Sequence, residues 1–345
     1  MLPIHFAPLQ GYTEDAYRRL HHQMFGGVEA YYTPFIRLEH KEVRSKDLRD
    51  VKPEHNVGVP VVPQIIAADG EELSKVLDIL KPWLAGGEAA DSKLNGCDTA
   101  DSKLNGCETA GCDTADAYQR IDLNMGCPFP LQTRHGRGAG VLVHPDKVRE
   151  ICDVVKKNPQ LSFSVKMRLG MDATDEWREV LPILNDTPLA HITLHPRIAT
   201  QQYKGVVDMQ ELEDFMAECR HLIIYNGDVR RLRDIQQLED RYPGLGGVMI
   251  GRGLLARPSL AMEYAEGREL PSHELLRKMK EMHSRMQEYY ARIIPGEAQQ
   301  LMKLRTFWDY LDPTDAPEPL IDRKKYKKVK KAGNMKNYLA AVAEL

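Results

Sequence analysis

Short β-prone segments recur along this chain, each followed by a stretch with helical character, and this alternation limits what it can fold into more than any other feature. Strand-like runs fall at Ile4 to Ala7, Ala30 to Thr33, Val59 to Ile66 and Ile121 to Asn124. Further ones fall at Phe163 to Arg168, His191 to His195, Leu222 to Asn226 and Gly247 to Gly251. Each is dominated by apolar or β-branched residues, as strands buried on both faces must be. Strands and helices alternating in this number predict an α/β fold, a (β/α)8 TIM barrel of parallel strands. An open doubly wound sheet is the alternative. The polar residues favour the barrel. Gln64, Asn124, Lys166, Arg168, His195, Asn226 and Arg252 stand within or just after the C-terminal ends of these segments, where a polar group costs free energy unless it meets a partner. In a barrel they converge on one rim, where such folds carry their chemistry.

After Gly267 the pattern changes to helices without strands, with amphipathic spacing over Glu274 to Ile293, a similar run over Ala298 to Leu311, and a last one over Lys336 to Glu344. Residues 1–266 therefore read as the barrel and 267–345 as a small helical domain, with a proline-rich connector from Pro313 to Pro319. One segment interrupts the barrel pattern. Residues 90–99 recur almost unchanged at 100–109 and a truncated copy follows, so 89–117 reads as a low-complexity duplicated insertion on the face opposite the rim.

A hydrophobic fraction of 42% and a charged fraction of 28% belong to an ordinary globular protein, and no apolar run is long enough to cross a bilayer. No secretory leader is read at Met1 to Pro8, so a cytoplasmic location is expected. None of the six cysteines forms a Cys-x-x-Cys pair, and no metal is expected. With a net charge of only −3, nucleic-acid binding must come from a local basic cluster, which the run Arg323 to Lys331 supplies, with Lys303 and Arg305 on an earlier helix. Such a run is also what a solvated helix face looks like.

Chemistry gathers at the rim. Asn124-Met125-Gly126-Cys127-Pro128 puts a thiol in a tight turn at a strand exit, although a lone cysteine is more often a small core residue. Asn226-Gly227-Asp228 and Gly251-Arg252-Gly253 are glycine turns after the last two strands, where barrels commonly hold phosphate. Lys166, flanked by strand formers, needs an anion or a polar cofactor nearby, or must snorkel outward. Together with His195 it suggests a planar, electron-rich ligand.

Taken in order, Ala7-Pro8-Leu9-Gln10-Gly11-Tyr12-Thr13, Gln64, Asp122 to Pro128, Val165 to Gly170, His195-Pro196-Arg197, Asn226-Gly227-Asp228 and Met249 to Gly253 resemble the tRNA-dihydrouridine synthases. The resemblance implies an FMN-bearing barrel that reduces the C5–C6 double bond of a uridine in tRNA, with NADPH reducing the flavin first. It implies that Pro8, Leu9 and Gln10 lie against the flavin ring and that Gln64, Lys166 and His195 contact it. Asn226, Gly227, Asp228, Gly251 and Arg252 are implied to hold the ribityl phosphate. Asn124, Arg168 and Arg197 fall to the substrate base, and Lys303, Arg305, Lys324 and Lys325 to the RNA backbone. Cys127 is implied to be the acid that protonates C5, a task an ordinary thiol can perform because it is mostly protonated at neutral pH. A monomer is expected. The chain departs from the family pattern at Leu9, where methionine is common, and at Pro196, where glycine is common and proline removes an amide donor. The loop Phe129 to Gly138 has no close match to that pattern. Two other functions remain: a flavin barrel of the dihydroorotate dehydrogenase kind acting on a free pyrimidine, and an RNA-binding barrel without catalysis.

Overall fold

A computed structural model of the chain describes residues 1–86, 117–311 and 319–345. Its strands are β1 (Ile4–Phe6), β2 (Ala30–Tyr32), β3 (Leu38–Glu39), β4 (Glu42–Val43), β5 (Val61–Val62), β6 (Gln64–Ile65), β7 (Arg120–Met125), β8 (Ser162–Gly170), β9 (Leu189–Ile198), β10 (Ile223–Asn226) and β11 (Gly247–Ile250). Nine of them form one parallel sheet in the order β5-β2-β1-β11-β10-β9-β8-β7-β6, while β3 and β4 make a small antiparallel hairpin. The two ends of the sheet, β5 and β6, are separated in the chain by Pro63 alone. The sheet therefore curls into a nearly closed barrel in which β5 and β6 are two halves of one interrupted strand. Pro63 gives its carbonyl to the Asp122 amide at 2.9 Å and has no N–H to return, which is what divides the strand. The alternation thus yields the barrel rather than the open sheet.

Period-two alternation sorts the side chains into two cores. Ala7, Ala30, Tyr32, Val62, Ile224 and Met249 pack together inside the barrel. Phe6, Tyr31, Ile65, Leu123, Val165 and Leu194 point outward into the layer shared with the helices. Around the barrel run α1 (Asp15–Met24), α2 (Ser45–Val51), α3 (Gly70–Leu80), α4 (Pro130–Thr133), α5 (Pro145–Lys156), α6 (Trp177–Asn185), α7 (Met209–Glu218), α8 (Leu232–Arg241), α9 (Arg252–Ala256) and α10 (Leu260–Glu266).

The helices that follow are α11 (Ser272–Ile293), α12 (Glu297–Thr306), α13 (Arg323–Lys331) and α14 (Met335–Ala343). Their core centres on the fully buried Trp308, whose indole N–H donates to Tyr338 Oη at 2.9 Å; that hydroxyl donates in turn to the Leu304 carbonyl. The helix expected over Ala298 to Leu311 ends instead at Thr306, and Asp309–Leu311 forms a separate 3-10 turn. The cause is tertiary: Asp309 accepts from Tyr12 Oη at 3.0 Å and pairs with Lys330, which draws the chain toward the barrel. The basic run over Arg323 to Lys331 becomes α13, which buries Tyr326 and Val329 and turns Lys324, Lys325, Lys327 and Lys328 outward. Except for Ala117, the expected insertion at 89–117 lies outside the described residues, as does most of the connector from Pro313 to Pro319.

Candidate active site

A solvent-open cleft enclosing about 1130 Å³ lies at the C-terminal ends of the strands. Ala7, Leu9 and Met249 pack together as an apolar part of its lining, joined by Pro8, and Cys127 lines it with Phe35, against which it packs, and Phe129. A cationic, donor-rich wall of Lys166, Arg168, His195, Asn226 and Arg252 also lines it. Six of the seven polar positions read at the strand ends therefore meet in one place. Gln64, the seventh, sits beneath it.

The Cys127 turn is built from β7 upward. Asn124 Oδ1 accepts from the amides of Gly126 (3.1 Å) and Cys127 (2.9 Å), which fixes the turn, and its Nδ2 donates to Gln64 Oε1 at 2.7 Å. Gln64 Nε2 donates to Asp122 Oδ2 at 2.6 Å, and Ser164 Oγ donates to Asp122 Oδ1 at 2.6 Å. Gln64 and Asp122 are both 0% exposed, so every link replaces a lost water contact. Asn124 keeps one uncommitted Nδ2–H for the cleft. From the far side, Ala139 donates its amide to the Cys127 carbonyl at 3.1 Å. Gly138, at φ +60°, comes so close that a Cβ there would lie 2.8 Å from that of Cys127. The loop with no close family match is thus the outer brace of the thiol.

Burial pushes the Cys127 thiol above its usual range, with partial opposition from the Phe129 amide and from Arg168, Lys166 and Arg37. Burial likewise raises Asp122 to about 6, against the hydrogen bonds from Ser164 and Gln64. Lys166 is lowered to about 8, by burial first and then by Arg168. Among the described residues its ammonium has no hydrogen-bond or ion-pair partner, an arrangement that suits an anionic ligand.

Arg168 is braced by the carbonyls of Gly126 and Ile198, each at 3.0 Å, and so ties the cleft wall to the Cys127 turn. Pro196 stands inside β9 without breaking it, because two residues of β9, Pro196 and Arg197, oppose one of β8, Leu169, between the pairs Arg168–His195 and Gly170–Ile198. That bulge absorbs the missing amide. Arg197 does not line the cleft; it is buried behind His195. Asp228 does line it, but its carboxylate meets Arg197 and Arg252. Arg252, Arg230 and the Gly227 turn remain as groups lining the cleft that suit a phosphate.

The basic residues divide. Lys324 and Lys325 are exposed, whereas Lys303 is tied to Glu14, a carboxylate it shares with Lys46. Arg305 is half-buried on α12 and receives Lys330 on its carbonyl. Phe307 and Trp308 are core, as helical spacing suggests, but Tyr310 lines the cleft and packs edge-on against Tyr12 with ring centroids 5.1 Å apart. Tyr310 and Tyr203 carry no sequence signal for this placement. Asp122 does: it is one more charge inside an apolar strand.

The chain matches the family model described as "Dihydrouridine synthase (Dus)" over residues 102–311. A protein of Staphylococcus aureus (strain Mu50 / ATCC 700699) described as a probable tRNA-dihydrouridine synthase is 33% identical over 197 residues, 55% of this chain and 57% of that protein. One of Bacillus subtilis (strain 168), described as a probable tRNA-dihydrouridine synthase 2, is 32% identical over 181 residues, 51% of this chain and 54% of its own. The chain thus spans about half the length of the curated relatives it matches. Among solved structures, morphinone reductase is 10% identical with a TM-score of 0.48, covering 78% of this chain and 86% of that one.

Proposed function

The chain belongs to the dihydrouridine synthase family, and from that premise and the cleft we propose that it reduces the C5–C6 double bond of uridine in tRNA, with FMN as its cofactor and NADPH as reductant. One observation carries the reading: Cys127, whose burial favours the neutral thiol, shares a cleft with the half-buried Lys166, which has no partner among the described residues. The residues present fit FMN. The apolar part of the lining suits a planar ring, Lys166 and His195 suit its polar edge, and Arg252 suits a phosphate. Gln64 supports this site through its hydrogen bond with Asn124. Bound there, FMN would supply a hydride to C6 of the uracil.

The protein supplies the rest. Cys127 gives the proton to C5 from its S–H and leaves as thiolate, to be reprotonated from solvent. Lys166 places a positive charge where negative charge would gather. Asn124 turns its free N–H to the uracil while holding the thiol turn, and Arg168 braces the same turn. A uridine in folded tRNA must leave its stack to reach the cleft, and phosphate contacts elsewhere supply that free energy. Residues 267–345 are assigned this task, with the exposed Lys324 and Lys325 as contacts. Lys303 and Arg305 join them only where RNA competes with Glu14 and the local packing.

The purified protein should carry flavin absorbance that NADPH bleaches and tRNA restores, while orotate-like pyrimidines do not. Absence of flavin, or equal reoxidation by a free pyrimidine, refutes the reading. Replacing Lys324 and Lys325 by alanine should weaken tRNA binding and flatten the slope of log K against log salt by about 1 to 2. An unchanged slope removes α13 from the RNA surface.

A further inference from the structure

Arg197 sits two residues beyond His195 on β9 with its side chain 0% exposed. Its Nη1 lies 3.2 Å from His195 Nε2, while Nη2 donates to the Gly205 carbonyl at 2.6 Å and pairs with the Asp228 carboxylate. Asp228 adopts φ 43°, a left-handed conformation that aspartate tolerates better than most residues, and so stands between Arg197 and Arg252.

A guanidinium has donors only. The nitrogen of His195 facing it must therefore present a lone pair, and in a neutral imidazole the single ring proton is then on Nδ1. The imidazolium is excluded: it would set N–H against N–H. It would also add a positive charge beside Arg168, Lys166, Arg197 and Arg252, all of which, after burial itself, hold the ring well below its ordinary pKa. His195 lines the cleft, and among the described residues Nδ1 has no hydrogen-bond partner. Its proton is offered to whatever the cleft holds.

We propose that Arg197, anchored by Asp228, is a positioning residue that fixes His195 as the Nδ1–H tautomer, a neutral donor aimed at an acceptor atom of the ligand. The tautomer stands on the geometry alone. That the acceptor is an oxygen or nitrogen of the flavin ring rests on the function proposed above.

Nuclear magnetic resonance of the full-length protein carrying 15N-labelled histidine tests this directly, with His195 identified as the signal lost in His195→Gln. The wild-type ring should carry its proton on Nδ1, with an unprotonated Nε2, between about pH 5.5 and 8.5. Arg197→Lys keeps a donor and should keep the tautomer; Arg197→Met should let the proton move to Nε2. A wild-type ring protonated on Nε2, or an unaltered tautomer in folded Arg197→Met, overturns the proposal. Should Arg197→Met fail to fold, Asp228→Asn slackens the anchor and should give a mixture of tautomers; a ring still held purely as Nδ1–H removes Asp228 from the device. Equilibrium binding of FMN to the flavin-free protein should weaken about tenfold in Arg197→Met, the loss of one hydrogen bond, and recover in Arg197→Lys. A wild-type protein that binds no flavin refutes the proposed function, whereas the tautomer is decided by resonance in either case.

Discussion

Cys127 is 7% exposed, and its burial keeps it a thiol at neutral pH. A group that must donate a proton and never attack gains from that environment, whereas a nucleophilic cysteine would need the opposite. Cys127→Ala should therefore still bind flavin and accept electrons from NADPH, while reoxidation by tRNA falls about 10²- to 10⁴-fold, the usual worth of a positioned acid. Rapid-mixing absorbance separates the two half-reactions, and a wild-type rate of reoxidation would exclude the thiol. Lys166 makes a second prediction. With its ammonium lowered to about 8, the ligand-free protein loses this charge as pH rises through that value. If the anionic cofactor binds the protonated form, affinity is level below about pH 8 and falls up to tenfold per pH unit above it. Fluorescence titration of FMN should show this break, Lys166→Met should abolish it, and a break that survives in Lys166→Met assigns it to another group.

At the scale of elements, β7 and the turn after it act as one unit, because Asp122, Gln64 and Asn124 hand hydrogen bonds from the barrel interior to the thiol turn. Gln64→Leu would strand the Asn124 amide and one Asp122 oxygen, at a cost of about 1–3 kcal/mol each. Urea unfolding should show that loss, and turnover should fall further than stability explains; full activity in a destabilised protein would reduce the chain of bonds to scaffolding. The barrel was legible because each strand is an apolar run that a parallel sheet buries on both faces, and the rim because polar residues end those runs. The hydrogen bonds of Gln64 to Asp122 and Asn124 were not, since which way a rim amide turns depends on what its neighbours on β7 present. Arg197 escaped for a related reason: the β9 bulge at Pro196 changes which way the residues after His195 face, and one extra residue in a register leaves no trace in a single sequence. Tyr310 lines the cleft next to Asp309, which Tyr12 holds from nearly three hundred residues away, a contact no local pattern announces.

Across the whole molecule, buried polar groups couple barrel and helices. Tyr289 of α11 donates to Asp15 of α1 at 2.5 Å, and Lys303 of α12 meets Glu14 just before it. Within the barrel, Tyr32 Oη lies 3.1 Å from both His5 Nδ1 and His191 Nε2. Burial first of all lowers His5, His21 and His283 to about 3 and His191 to about 4, and holds His195 well below its ordinary value. Unfolded, these rings take up protons near pH 6.5. Between there and about 4 the unfolded state binds more protons than the folded one. Their contribution to stability is therefore complete above 6.5 and is lost as pH falls. Burial also raises Asp50 to about 7 and Asp122 to about 6, which acts the other way, because the folded state then holds protons that the unfolded state has released. Near pH 5 five histidines oppose two carboxylates, a net uptake of about three protons on unfolding, or about 4 kcal/mol per pH unit. Urea unfolding followed from pH 7.5 to 4.5 should show stability level at first and then falling at roughly that slope. Replacing both His5 and His191 by glutamine should remove about two protons from it. A stability curve flat through pH 5 would mean that these rings are solvated, and with them the interior on which the cleft is built.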